Sequence, residues 1–212
     1  MPIRIQNFNK PTMAADFIFD RTMGANKLIN IPKTIVLVGL MGAGKTCIGR
    51  RLARRLNLPF IDADDEIEKS AGCSIPDVFD LYGEAEFRDG ERRVIKRLLK
   101  QPVHVLATGG GAFVDDHTRR RVKNKALSIW IRADIELLLS RTRRRDNRPL
   151  LRDTNPREKL EQLMKQRYPA YEEADIVIES GHESPDVTVN QAITALNAFI
   201  SSVSFNQANI QS

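Results

Sequence analysis

The chain has 212 residues, 42% of them hydrophobic and 28% charged, which suits a globular protein with a sizeable core and argues against a disordered one. A net charge of +6 is compatible with a polyanion partner, but aromatics are few, at 6%, and nowhere interleave with the basic residues as a base-stacking surface requires. No apolar run approaches the ~18 residues of a membrane span, the N-terminus lacks the apolar core of a secretory signal, and Cys47 and Cys73 form neither a disulfide framework nor a metal spacing, which suits a reducing cytoplasm.

Residues 1–32 mix Pro2, Pro11, Gly24 and several Asn with scattered apolar residues, and read as a poorly ordered extension. Asp16, Asp20 and the absence of Ser argue against a transit peptide. Thr34-Ile35-Val36-Leu37-Val38 is short, apolar and β-branched, as a buried parallel strand should be. It runs into Gly39-Leu40-Met41-Gly42-Ala43-Gly44-Lys45-Thr46, after which Ile48, Leu52, Ala53 and Leu56 recur at helical spacing among four arginines. That helix ends near Leu56-Asn57, and Leu58-Pro59-Phe60-Ile61 is a short strand leading into Asp62-Ala63-Asp64. Residues 66–70 are helical, and Ser74-Ile75-Pro76 opens another helix. A longer amphipathic helix over 84–99 has Phe87, Val94, Ile95, Leu98 and Leu99 as its apolar positions. Strands follow at 103–107, ahead of Gly109-Gly110-Gly111, and at 127–131. Residues 133–142 are helical, 143–156 form an arginine-rich loop, 157–171 are helical, Ile176-Val177-Ile178 is the last strand and 185–201 a terminal helix.

Strands alternating with helices predict an α/β fold, a parallel sheet covered on both faces, with ligands at the carboxyl ends of the strands. One domain over 33–204 is expected, followed by a tail over 205–212.

Three candidates for chemistry fall at strand ends. The first reads G-x-x-x-x-G-K-T, the loop whose backbone N–H groups cradle a polyphosphate, with Lys45 reaching the β/γ-phosphates and the Thr46 hydroxyl holding Mg²⁺. The second is Asp62-x-Asp64. Two carboxylates two apart on extended chain face one cavity, one suited to Mg²⁺ and the other to a hydroxyl proton; the plain alternative is a helix cap from Asp64 or Asp65. The third is the triple glycine, which allows a backbone to approach a ligand closely and on its own is equally a tight turn. Arginines supply the rest. Arg88 follows Glu84 at i+4, so an intrahelical pair competes with a ligand role. Arg148 lies in a basic segment able to close over phosphates. Arg167 lies near a helix end, where a cation also suits the dipole. Two converging guanidinium forks would suit a carboxylate-bearing substrate. His104 alternates with apolar residues and Trp130 lies in an apolar strand, so both read as packing.

Taken in order, these motifs resemble shikimate kinase: Val38 to Thr46, Phe60-Ile61-Asp62-Ala63-Asp64, Gly83-Glu84-Ala85-Glu86-Phe87-Arg88, Gly109-Gly110-Gly111-Ala112, Arg148-Pro149-Leu150-Leu151 and Arg167-Tyr168-Pro169-x-Tyr171. The resemblance runs from about Lys33 to Ile200. It implies a P-loop, nucleoside-monophosphate-kinase-like fold with three α/β/α layers, a five-stranded parallel sheet, a lid and a mobile substrate-binding region. The implied reaction moves the ATP γ-phosphate to the 3-hydroxyl of shikimate, on the route to chorismate, in a cytoplasmic monomer with no nucleic-acid or membrane partner. By position, Asp64, Arg88, Gly110 and Arg167 match the shikimate-binding set. Gly42, Ala43, Gly44, Lys45, Thr46, Cys47, Arg141 and Arg148 match the ATP-binding set, and Thr46 with Asp62, through water, would hold Mg²⁺. Lys45, Asp64 and Arg148 are the expected catalytic residues. One departure is that Glu183 and Ser184 stand where some members carry an arginine bordering the adenine.

Two other readings compete. A related small-metabolite kinase, acting on gluconate or a nucleotide, shares the P-loop but not the Asp62-x-Asp64 and triple-glycine pair. A nucleic-acid-binding ATPase or nucleotide switch is suggested by the basic charge and predicts a steep salt dependence of polyanion binding.

Overall fold

The computed structural model of the chain describes residues 3–4, 31–142 and 155–210, with the backbone alone at 3–4 and 203–210. Its elements in chain order are β1 (Ile3–Arg4), β2 (Thr34–Val38), α1 (Lys45–Leu56), β3 (Phe60–Asp62), α2 (Ala63–Ala71), α3 (Ile75–Leu98), β4 (Val105–Ala107), α4 (Asp116–Lys125), β5 (Ala126–Arg132), α5 (Ile135–Thr142), α6 (Pro156–Tyr171), β6 (Ile176–Glu179) and α7 (Pro185–Ile210). The strands form one parallel sheet in the order β1-β6-β5-β2-β4-β3. Five of them are the expected ones. The sixth, β1, lies in the stretch read as an extension and adds an edge beside β6, Ile3 opposite Ile176. Residues 1–2 and 5–30 of that extension lie outside the described residues, while Ile31 is buried in the core.

β2 is buried at all five of its positions, which requires cover on both faces of the sheet. Helices supply it, α1 packing with α7, α3 with α4 and α5 with α6. The centre holds Ile35, Leu37, Leu106, Ile129 and Ile131, each at 0% exposure, at about 1.5–3 kcal/mol of hydrophobic stabilisation per side chain.

Local chemistry explains where elements start and stop. Asn57 is left-handed (φ 54°), and Leu58 N donates to Ala53 O. The chain is thus still closing α1 where a strand was expected, and β3 begins only at Phe60. Asp134 accepts from Leu137 N at 2.7 Å, capping α5 and moving its start to Ile135. The long α3 contains a break at Gly83 (φ 81°, ψ 173°), so the two expected helices are its two halves. The pattern gave no sign of α4, whose ten residues bury only Thr118 and Val122. His104 is 1% exposed, with Nδ1 at 2.8 Å from Pro102 O. Trp130 packs on Tyr168 with ring centroids 4.8 Å apart. Both are packing residues.

Candidate active site

β2 delivers the chain into the Gly39–Thr46 loop at the carboxyl edge of the sheet. Gly44 is the N-cap of α1 with φ 100°, and no side chain caps the helix there. The backbone therefore needs glycine, and the first-turn N–H groups form an anion site. Lys45 Nζ donates to Gly39 O at 2.8 Å and Leu40 O at 3.0 Å, lying over its own loop. Thr46 Oγ1 donates to Asp62 Oδ2 at 2.9 Å.

Asp62 does two things at once. It ends β3, and its Oδ1 accepts from Asp64 N at 3.1 Å as the N-cap of α2. The cap is therefore Asp62, not Asp64 or Asp65, and Asp64 lies in the first helical turn rather than on extended chain. The two carboxylates still line one cavity, because the strand turns directly into the helix between them. Burial raises the Asp64 carboxyl from an ordinary value of 3.8 to about 6, with the Asp62 charge adding to the rise and Lys45 opposing it.

β4 ends against the same space. Thr108 Oγ1 donates to Leu37 O at 2.9 Å, and the triple glycine follows. Each glycine faces a side chain from another element. A Cβ at Gly109 would lie 2.8 Å from Glu91 Oε1 and 3.0 Å from Asp64 Oδ1. One at Gly110 would lie 2.8 Å from Arg167 Nη1, and one at Gly111 2.7 Å from Arg88 Cζ. The triple glycine is thus the surface on which Asp64, Arg88 and Arg167 converge, carried there by α2, α3 and α6. The cavity they share with the phosphate loop has a volume of about 1040 Å³. It reaches Phe79 and Phe87, whose rings are tilted 33° to each other with centroids 4.5 Å apart.

Arg88 does make the i,i+4 pair with Glu84, Nη2 to Oε1 at 3.2 Å, while also facing the cavity. Its Nη1 meets Glu91 Oε2 at 2.8 Å. Glu91 is 3% exposed, and its Oε1 has no hydrogen-bond partner. Burial pushes its carboxyl up, and Arg88 pulls it down. Sequence reasoning passed over Glu91, yet a signal was there. It stands in the apolar stripe between Phe87 and Val94–Ile95, where a charge calls for a partner. Tyr171 closes the Arg167-Tyr168-Pro169-x-Tyr171 motif. It is fully buried, and its hydroxyl donates to Gly110 O.

At the far end of the cavity Arg141 donates to Gly42 O (3.4 Å), Ala43 O (3.3 Å), Ser180 Oγ (3.0 Å) and Gly181 O (2.9 Å). It thereby ties the phosphate loop to the β6–α7 turn. Cys47 lines the cavity and accepts from Arg51 Nη1 at 2.9 Å. Glu183 and Ser184 are exposed beside the lining residue Pro185. Arg148 lies outside the described residues.

Comparison with known proteins agrees with this geometry. The family model "SKI: Shikimate kinase" matches residues 41–197. The shikimate kinase of Paramagnetospirillum magneticum is 59% identical over 170 residues, covering 80% of this chain and 87% of that protein. That of Caulobacter vibrioides is 57% identical over 164 residues, covering 77% and 82%. Among solved structures, shikimate kinase from Acinetobacter baumannii in complex with shikimate superposes with a TM-score of 0.76 at 40% identity, covering 78% of this chain and 93% of that one. A gluconokinase from Sinorhizobium meliloti, at 17% identity and a TM-score of 0.59, shares the fold alone. With Asp64, Arg88, Gly109–Gly111 and Arg167 gathered in the cavity of the phosphate loop and relatives this similar over most of their length, the chain belongs to the shikimate kinase family.

Proposed function

We propose that the chain transfers the γ-phosphate of ATP to the 3-hydroxyl of shikimate, within aromatic amino acid biosynthesis, and that the residues around the triple glycine hold the acceptor. The observation that carries this reading is the convergence of Asp64, Arg88 and Arg167 on Gly109–Gly111 in the cavity that also contains Lys45 and Thr46.

Phosphoryl transfer asks mainly for positioning and charge neutralisation. The loop N–H groups from Gly42 to Cys47 cradle the phosphates. Lys45 exchanges its bonds to the Gly39 and Leu40 carbonyls for phosphate oxygens. Arg88 and Arg167 grip the carboxylate of the acceptor, and the Gly110 backbone takes a ring hydroxyl. Asp64 orients the 3-hydroxyl and accepts its proton. The hydroxyl oxygen bonds to the γ-phosphorus as the β–γ bridging oxygen leaves with ADP. Arg148 would close over the phosphates, and Arg141 borders the base.

Mg²⁺ fits the oxygen donors at hand. Thr46 Oγ1 and Asp62 Oδ2 lie 2.9 Å apart at the phosphate end, a hydroxyl and a carboxylate suited to a small hard cation. Among the described residues no cluster of three or more His, Cys, Asp or Glu forms a metal cage; an ion completed by phosphate and water needs none. When bound, Mg²⁺ neutralises charge on the β- and γ-oxygens. In this reading the enzyme works as a cytoplasmic monomer without a nucleic-acid or membrane partner. No helix among the described residues is long and apolar enough to cross a membrane.

The test is ADP release from MgATP with shikimate, gluconate, quinate and nucleoside monophosphates. Shikimate is expected to exceed the others by at least about 100-fold in kcat/KM, because a site built around buried polar groups rejects acceptors that leave them unpaired. Equal or better turnover of gluconate or a nucleotide would overturn the reading.

A further inference from the structure

Tyr171 joins two parts of the acceptor site that belong to different elements. It lies four residues after Arg167 on α6, so the two side chains share a face of the helix. It is fully buried. Its hydroxyl donates to the carbonyl of Gly110, and the phenolic oxygen itself accepts from Arg167. Gly110 is where these contacts meet. A Cβ there would stand 2.8 Å from Arg167 Nη1, 3.7 Å from the Tyr171 hydroxyl and 3.5 Å from Gly39 O. Gly39 O in turn accepts from Lys45. One buried hydroxyl therefore backs the point where the acceptor half of the cavity touches the phosphate half.

We propose that Tyr171 is a positioning residue for acceptor binding, its hydroxyl holding the Gly110 peptide and the Arg167 guanidinium in register so that both reach one substrate together. The proposal rests on shikimate being the acceptor. Burial raises the phenol to about 12, so it stays a donor across the working pH range. Fixing the Gly110 carbonyl fixes the peptide plane, and with it the backbone group offered to the ring. The hydroxyl bond to Arg167 turns the guanidinium toward the triple glycine. The ring itself packs on Trp130 and Tyr168, at centroid distances of 5.7 and 6.1 Å. That packing does not need the oxygen, so Tyr171→Phe separates positioning from packing.

The experiment compares wild type, Tyr171→Phe and Tyr168→Phe by steady-state kinetics in both substrates, with thermal melts alongside. Tyr171→Phe is expected to raise KM for shikimate roughly ten-fold, the scale of one lost buried hydrogen bond, and to leave KM for MgATP within about two-fold. Its preference for shikimate over methyl shikimate, which reports the carboxylate grip, should shrink. Tyr168 donates to Ala133 O at 3.3 Å, outside the acceptor cavity, and Tyr168→Phe should leave both KM values unchanged. Placing 4-aminophenylalanine at position 171 keeps an N–H donor toward Gly110 and should hold KM for shikimate within about three-fold of wild type. That variant alone decides the matter if Tyr171→Phe does not fold. A folded Tyr171→Phe with unchanged KM for shikimate overturns the proposal, as does a 4-aminophenylalanine variant with a ten-fold rise. Failure of wild type to phosphorylate shikimate at all would instead remove the acceptor assignment.

Discussion

Thr46 Oγ1 donates to Asp62 Oδ2 at 2.9 Å, joining the first turn of the phosphate-loop helix to the end of β3. Through the other oxygen of the same carboxylate, that contact continues into the start of α2, the helix that carries Asp64. The groups assigned to the metal and to the acceptor hydroxyl are therefore two residues apart and share one support.

The two roles of Asp62 separate in Asp62→Asn. Asparagine caps a helix about as well as aspartate, so the melting temperature should move by no more than about 3 °C. The Mg²⁺ concentration giving half-maximal rate should rise about ten-fold, because the charge that orients the ion's water is gone. A lowered melting temperature with an unchanged Mg²⁺ requirement would leave Asp62 as a cap alone.

Asp64 links activity and stability in opposite directions. Its folded-state carboxyl is raised from 3.8 to about 6, so the folded protein holds a proton that the unfolded chain gives up. Stability is then lost as pH rises from about 4 to above 6. Asp64→Asn removes that cost and should stabilise the protein at pH 7.5 by on the order of 2 kcal/mol, with little effect near pH 3.5. The same variant should lose at least about 100-fold in turnover while still binding nucleotide. In wild type, kcat/KM should fall as pH drops below about 6. Urea unfolding at the two pH values, together with a pH–rate profile, checks all three; an unstabilised variant at pH 7.5 would mean that the buried carboxylate is better compensated than the geometry indicates.

Lys45→Ala should lower turnover by at least about 100-fold, as expected when one preorganised electrostatic stabiliser is removed. Single-turnover phosphoryl transfer measures this apart from product release. A loss of less than ten-fold would place the neutralising charge elsewhere.

Beside its pair with Glu84, Arg88 serves the buried carboxylate of Glu91 and, in the proposed reading, the carboxylate of the acceptor, and its variants should separate the last two. Arg88→Lys replaces a fork by a point charge and should raise KM for shikimate about ten-fold while keeping a cation beside Glu91. Arg88→Ala leaves Glu91 buried without its partner and should cost about 3 kcal/mol as well as binding. Adding Glu91→Gln to Arg88→Ala should restore much of the stability and none of the binding. Chemical denaturation of the three variants reads the first effect, and calorimetric titration of shikimate the second.

Much of this was legible in the chain because strand, glycine-rich turn and helix each leave a local mark. The run Thr34–Val38 and the glycines after it need no partner to be recognised, and they place Lys45 and Thr46. Asp64, Arg88, Gly110 and Arg167 could be named from the motif set, but their meeting could not be read from spacing. Each rides on a separate element, and only the sheet order brings β3 beside β4 and carries α6 to Gly110. The triple glycine looked like a weak signal because its requirement is external, a side chain arriving against each residue. The helix α4 escaped because its buried face is just Thr118 and Val122, too little for a periodic pattern. Its one local mark is Asp115, which accepts from Thr118 N at 2.8 Å as the cap. Glu91 escaped because a charged residue in a helix reads as surface until its partner is seen.

In the proposed reaction the carboxylate of Asp64 presents one particular ring hydroxyl to the phosphate held over Lys45. Phosphorus NMR of the product formed from MgATP and shikimate tests it most directly. A single new phosphomonoester is expected, its phosphorus coupled to the proton on C3 and formed in step with ADP. Phosphate on another ring hydroxyl, or release as inorganic phosphate with shikimate unchanged, would contradict it.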